Sequence, residues 1–574
     1  MSRFNLIDEP WISVVIDYKG TTKLVGLKEF FENAHTYIAL AGDMPTQDFA
    51  VMRFILAILH TVFSRYDAQG NAYEVVTLND RMQQLEEVDQ GDYEDYEDAL
   101  LDTWKDLWKA GKFPDIVLKY LDVWHDRFYL YDDKYPFYQV TKEIMQQFGP
   151  NFTNSKKTVA SVHPKLINRT ISESGNKIAL FSPRCDSNKN NLTDAELVRW
   201  LIMFQGVSNA SDKKTIIKTK STKSIGWIYG LGGVFFSSDN LFKTLLLNFV
   251  LKHPEQQYNV SQHPAWEFEQ SEFYEMYKES RMIDNLACLY TNWSRLVYLF
   301  YADDKKQSDD KESRKNLRLR IVKTIALQKE VNVLEPMAKW KPDKILAADK
   351  PQKNEAAWRS FNAIINRSDK YRRLPGIADN LNHLKKDFDE DELVQVNVIS
   401  AIDNGDTLSR VLVEEYYDNF NLKLFVATDL LDKGWVVRIN NIIETTKEII
   451  EKYYGRFLSD IKTIRNINSS DFVPNKKGDL YFRIDKPFRD WLADIDCKDN
   501  KDAKEREWYA KLRKIIYMQI DEVTKNASSR DFVGVVIKDK KNKDKENNIA
   551  LALNIFMTSI NRKLPILDKN CRSI

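Results

Sequence analysis

A chain of 574 residues, 43% hydrophobic and 12% aromatic, is too long for one core, because single cores stop growing at about 250–300 residues; two or three domains are expected. Lys and Arg total 85 against 84 Asp and Glu, a formal net charge of +1, so no global basic field marks a nucleic-acid partner and a phosphate-binding surface has to be a local patch. Cys185, Cys288, Cys497 and Cys571 stand singly and the seven histidines are scattered, which leaves no CxxC, HxH or HExxH arrangement for a metal and no disulfide framework.

The N-terminus lacks the apolar stretch of a signal peptide, so a cytoplasmic protein with no membrane partner is expected. A short strand is predicted over Trp11–Ile16 and a small helix around Leu27–Phe31. A buried helix follows, starting near Thr46 and Asp48, with Phe49, Met52, Ile55, Leu56, Leu59 and Phe63 at three- and four-residue spacing. The apolar run Phe49–Phe63 is short for a bilayer and contains Arg53 and His60. Acidic residues crowd Glu86–Asp102, in the manner of a solvated helix face or loop. Arg127–Val140, RFYLYDDKYPFYQV, sets aromatic residues around a DDK turn and reads as an extended or hairpin element.

From Asn151 to about Gly233 the pattern loosens into polar loops around one helix, Thr193–Phe204. Within them, KKTIIKTKSTK places Lys213, Lys214, Lys218, Lys220 and Lys223 among Thr and Ser, with no acid after Asp212. Such side chains are common donors to phosphate oxygens, and the same run reads equally as a solvated loop. The following GWIYGLGG, Gly226–Gly233, lacks the GxGxxG spacing and reads as a tight turn or a close backbone approach. Asp303–Lys315 is a mixed-charge linker or insertion, and Asn362–Asp389 is polar with helical pieces.

Beyond Leu424 apolar residues recur at helical spacing: Val436, Ile439, Ile443, Ile450, Tyr453, Phe457 and Ile464; then Trp508, Leu512, Ile515, Ile516 and Val523; then Ile549, Leu551, Leu553 and Phe556. A shorter helix, with Pro487 near its start, covers Phe488–Ile495, and Lys538–Lys545 reads as a flexible interhelix loop. The fold class is therefore α+β: a large, irregular mixed N-terminal domain over residues 1–424 and a C-terminal four-helix bundle over 425–574.

No catalytic constellation emerges and no cofactor or metal is expected. Adjacent side chains diverge, so His125 and Asp126 form no metal site by themselves. Asp403 with Asp406, or Glu414 with Glu415, are the carboxylate pairs that a metal-dependent nuclease would use, without a Lys or His partner in a recognisable pattern.

Several segments, in their order and spacing, resemble the CasA family, the large subunit of type I-E CRISPR surveillance complexes (Cascade). The opening NLIDEPWISV, Asn5–Val14, is similar to that family's N-terminal signature, and FYLYDDKYPFYQV to its FYL…HPF element. INRTISESGNKIAL, Ile167–Leu180, takes the place of its loop that contacts DNA and RNA, and LFKTLLLN, Leu241–Asn248, matches the helix after its glycine loop. The resemblance implies a non-catalytic subunit that reads the protospacer-adjacent motif (PAM) of duplex DNA mainly from the minor groove, parts the strands for R-loop formation, and recruits a helicase-nuclease. Its implied partners are target double-stranded DNA, the 5′ handle of the guide RNA, the backbone, handle-binding and small subunits of the complex, and that helicase-nuclease.

The resemblance also implies site residues. Asn168 and Arg169 fall on the contacting loop. The family's glycine loop falls at Asp212–Thr215, where this chain has Lys213 and Lys214 instead of glycines, with Lys218 and Lys220 just beyond. The strand-separating wedge falls at Asp403–Ser409, DNGDTLS, with Asp406 and Thr407 near its tip in place of the family's Gln; an NG turn suits a hairpin. Lys323 or Lys329 is the lysine that enters the groove. A divergent nuclease using Asp403 and Asp406, and a structural scaffold that never touches DNA, are the competing readings.

Overall fold

The computed structural model describes residues 4–148, 161–168, 192–208, 216, 224–252, 261–302, 316–342, 344, 347–365, 373–388, 392–404, 412–431, 433–538 and 544–564. The chain forms two compact units, one of residues 1–357, 367–387 and 395–419, the other of residues 358–366, 388–394 and 420–574.

The first unit is built around the helix Pro45–Phe63. Proline suits its first turn because the missing N–H has no partner there in any helix. At 19 residues it is longer than the apolar run suggested, and its length alone would let it cross a bilayer. Burial gives it another role: 94% of its apolar window lies inside the protein, against the helices Ile116–Val123, Asp194–Gly206 and Leu286–Tyr290. Arg53, within this core helix, forms a two-pronged ion pair with Glu335 at 2.8 and 2.9 Å. Burial pushes the Glu335 carboxyl up, but the Arg53 charge and the hydrogen bonds from Arg53, Trp227 and the Met337 amide outweigh it and hold the group below the usual glutamate value.

Small sheets surround this core. β1 (Ile12–Val15) lies between β2 (Thr22–Val25) and β3 (Ala39–Leu40). β4 (Gly233–Ser237), β7 (Leu393–Asp403) and β8 (Leu412–Lys423) form a second sheet in the order β4-β7-β8. β5 (Arg295–Tyr301) and β6 (Leu317–Lys323) pair antiparallel, with Arg295 opposite Lys323 and Leu299 opposite Leu319.

The Arg127–Val140 segment forms no hairpin ladder. One bridge joins Tyr129 to Asn5, the Asp132 side chain accepts the amides of Lys134 and Tyr135 at 2.8 and 2.7 Å, and Gln139 ties the loop to Leu130, Phe137 and Leu299. Its aromatic residues are spent on the core instead: Phe137 and Phe128 pack against Phe54 and, from Phe128, Trp266.

The second unit is helical. Trp435–Glu448, a π turn over Ile449–Tyr454 and Gly455–Ile464 make one continuous helix; Phe472–Ala493, Lys501–Thr524 and Ile549–Lys563 pack around it. The π turn shifts the inward register by one residue, so Tyr454 rather than Tyr453 enters the core and packs on Phe457 and Phe556. Pro487 lies inside its helix, not at its start. The buried positions Leu480, Ile484, Phe488, Trp491 and Leu492 keep helical spacing across it, and one backbone hydrogen bond is forgone. The stretch expected as an interhelix loop contributes to an antiparallel pair, β9 (Val535–Lys538) with β10 (Asp544–Asn547). Trp358, far back in the chain, joins this core by packing on Phe488, with ring centres 4.4 Å apart and planes tilted by 37°, and by donating to Asp485 at 2.8 Å.

Candidate nucleic-acid interface

One edge of β6 pairs with β5; the other holds two of the segments singled out in the sequence. Leu319 exchanges both backbone hydrogen bonds with Val162, at 2.9 and 2.7 Å, and Val162 leads through the 3₁₀ turn Pro164–Leu166 to Asn168. Four residues along the same edge, a span of about 13 Å, the carbonyl of Lys323 accepts the amide of Ile216 at 2.8 Å. Ile216 is 1% exposed and stands in the middle of the lysine-rich run. Burial of this one isoleucine divides the run into a span carrying Lys213 and Lys214 and a span carrying Lys218, Lys220 and Lys223.

Both ends of the run are fastened as well. At its start the Ser208 and Ser294 hydroxyls lie 2.7 Å apart, and the Ser208 carbonyl accepts the amide of Gly226 at 2.8 Å. At its end the Ser224 amide donates to Thr324 at 3.1 Å, and the Ser224 carbonyl accepts from Arg295 at 2.8 Å. Arg295 is fully buried, and Gln205 bonds its backbone on both sides. Gly226 is the close backbone approach expected of the glycine-rich stretch: a Cβ there would lie 2.3 Å from the carbonyl oxygen of Gly206.

The same stretch continues into the short helix Trp227–Leu231, where the buried Tyr229 donates its hydroxyl hydrogen bond to Asp403. Asp403 is the last residue of β7. β7 and β8 are sheet neighbours joined by residues 404–411, too few for a parallel crossover, so they form a hairpin. Lys350 lies 4.6 Å from the centre of the Tyr229 ring. The exit of the lysine-rich run and the base of the hairpin are thus joined through one phenol.

Of the expected site residues, Asn168 is 3% exposed at the end of its turn. Arg169, Lys213, Lys214, Lys218, Lys220, Asp406 and Thr407 lie outside the described residues. Lys323 is 7% exposed, whereas Lys329 is exposed at the start of the 3₁₀ turn Lys329–Leu334. Of the carboxylates considered for a nuclease, Asp403 accepts from Tyr229, and Glu414 and Glu415 have separate partners. Glu414 pairs with Lys353 at 3.3 Å, while Glu415 accepts the amide and hydroxyl of Thr46 at 3.0 and 2.8 Å. His125 bonds Asp8, and Asp126 bonds Arg81. Among the described residues no three His, Cys, Asp or Glu side chains gather as metal ligands.

Sequence reasoning missed Tyr229 and Arg295. Arg295 had a signal, a lone cation within the apolar run of β5, which has to be paired if it is buried. Tyr229 had none, because its partner is 174 positions away.

The family model for CRISPR-associated protein Cse1 matches residues 5–518. The CasA/Cse1 protein of Thermus thermophilus is 26% identical over 279 residues, which span 46% of this chain and 42% of that relative. The crystal structure of Thermobifida fusca Cse1 superposes with a TM-score of 0.71 at 22% identity, covering 98% of each chain. A chain of a CRISPR RNA-guided surveillance complex superposes at 0.64 and 15% identity, covering 97% of this chain and 99% of that one. These two likenesses establish the fold, and the family match covers both the β6 edge and the hairpin: the chain belongs to the Cse1 family of CRISPR-associated proteins.

Proposed function

We propose that this chain is the non-catalytic DNA-recognition subunit of a type I-E Cascade complex, which reads the PAM in duplex DNA, promotes strand separation and recruits a helicase-nuclease. What supports the reading is the common anchorage of three elements. The turn ending at Asn168 and the lysine-rich run are fastened to one edge of β6, and the run's exit is joined through Tyr229 to the hairpin that carries Asp406 and Thr407. A lysine-rich sequence anchored at Ile216 suits the task, since lysine contacts to phosphates set the register of a duplex. Sequence reading beyond the PAM is left to guide pairing. The guide RNA 5′ handle and the backbone, handle-binding and small subunits are the remaining partners in this reading, in keeping with the relative found in a surveillance complex.

The test is to reconstitute the complex with and without this chain and measure binding to guide-matched duplexes carrying a library of flanking motifs. Motif-dependent binding that vanishes without the chain is expected. Equal binding in its absence, or binding indifferent to the flanking motif, would refute the reading.

A further inference from the structure

In the helical unit a cleft of about 250 Å³ opens between the Ile449–Ile464 stretch and the helix Ile549–Lys563. Arg456 and Arg562 line it from opposite helices and are exposed. Among the described residues neither guanidinium has a hydrogen bond or ion pair. Of the other charges at the cleft, Lys452 is balanced by Glu448 at 3.4 Å, and Asp460, which accepts from the neutral Asn547 amide at 3.3 Å, sets one negative charge against the two guanidiniums. Two uncommitted arginines facing one opening leave a local positive surplus, and a guanidinium fork is shaped to take a carboxylate or phosphate on two oxygens.

The floor decides between those anions. Phe457 and Phe556 are 1% and 2% exposed, and the half-buried Tyr453, the third aromatic at the cleft, is held by its hydroxyl on Glu448 at 3.1 Å with the Lys452 ammonium 5.2 Å from its ring centre, so little free ring face is left for the base stacking that usually accompanies a basic groove. The half-buried Ile555 offers an apolar contact instead. We infer that this cleft binds an acidic peptide segment of a partner protein, with carboxylates on Arg456 and Arg562 and an apolar side chain between them. Its ligand chemistry is independent of whether the chain reads duplex DNA.

The experiment uses the whole chain and a fluorescein-labelled peptide of alternating Glu and Leu, about ten residues long, followed by fluorescence anisotropy. Wild type should bind this peptide and not its Gln-Leu counterpart. Arg456→Ala with Arg562→Ala should weaken binding about tenfold or more, and Arg456→Lys with Arg562→Lys should fall between, since lysine keeps the charge and loses the fork. Both arginines are exposed, so the thermal midpoint should not move, and the lysine variant keeps the test valid if the alanine variant misfolds. No binding by wild type, unchanged binding in folded variants, or arginine-dependent binding of a labelled oligothymidylate in preference to the peptide would each overturn the proposal.

Discussion

The hydroxyl of Tyr229 donates a hydrogen bond to the carboxylate of Asp403, which links the exit of a lysine-rich run to the base of the β7–β8 hairpin. Tyr229→Phe keeps the buried ring and removes only this bond, which contributes about 1.5–3 kcal/mol when its acceptor is charged. Target binding by the assembled complex is expected to weaken severalfold, with the hairpin's strand-opening slowed, while the fold persists. Stopped-flow measurement of strand separation at 2-aminopurine beside the PAM checks this; wild-type rates in the variant would show that the two elements act separately.

Gly226 and Gly230 lie in one short stretch and predict opposite outcomes. A Cβ at Gly226 would stand 2.3 Å from the Gly206 carbonyl oxygen and 2.6 Å from the Ser208 nitrogen, both backbone atoms that cannot move aside cheaply. At Gly230 it would meet only the Ile225 side chain, at 3.4 Å. Gly226→Ala should destabilise the first unit by about 2 kcal/mol or more, whereas Gly230→Ala should stay within about 1 kcal/mol. Chemical denaturation of the two variants side by side distinguishes them.

Asp48 supplies a pH dependence. Burial, reinforced by Glu415 and Asp43, pushes its carboxyl up to about 7 from an ordinary 3.8, against the opposing Gly42 amide and Arg199. Between those values the folded state holds a proton that the unfolded state has released. Stability from this group is therefore full below pH 3.8 and is lost as pH rises through 7. Asp48→Asn, which keeps an acceptor for the Gly42 amide, should match wild type near pH 4 and exceed its thermal midpoint by a few degrees near pH 8. Parallel curves for the two proteins would contradict the assignment.

Burial patterns made much of the fold readable in advance. The spacing from Phe49 to Phe63 marked a core helix, and repeated apolar positions beyond Leu424 marked the bundle. What failed did so for physical reasons. Helical spacing points to Tyr453 as a core residue only if the α-helix is unbroken, and the π turn hands that place to Tyr454. Pro487 has the residue type of a helix start, yet packing of Leu480 and Ile484 carries the helix through it. The aromatic residues of Phe128–Tyr138 suggested strands, but they bind to one another and to Phe54 rather than alternate across a sheet. In the candidate interface, residue types alone single out the lysine-rich run. Nothing local announced that Ile216 would fasten that run to Lys323, or that Tyr229 would reach Asp403, because these contacts depend on which strand edge the fold leaves open.

Contact between the lysine-rich run and target DNA is read out by a salt titration of assembled complexes containing wild-type chain or Lys213→Ala with Lys214→Ala, on duplexes with a correct and a mutated PAM. Each lysine on a phosphate contributes about 0.9 to the slope of log affinity against log salt. The double variant should lower that slope by up to roughly two units, and should also discriminate less between the two duplexes if either lysine reaches minor-groove acceptors. Parallel slopes with unchanged discrimination would contradict the account and return the run to solvent.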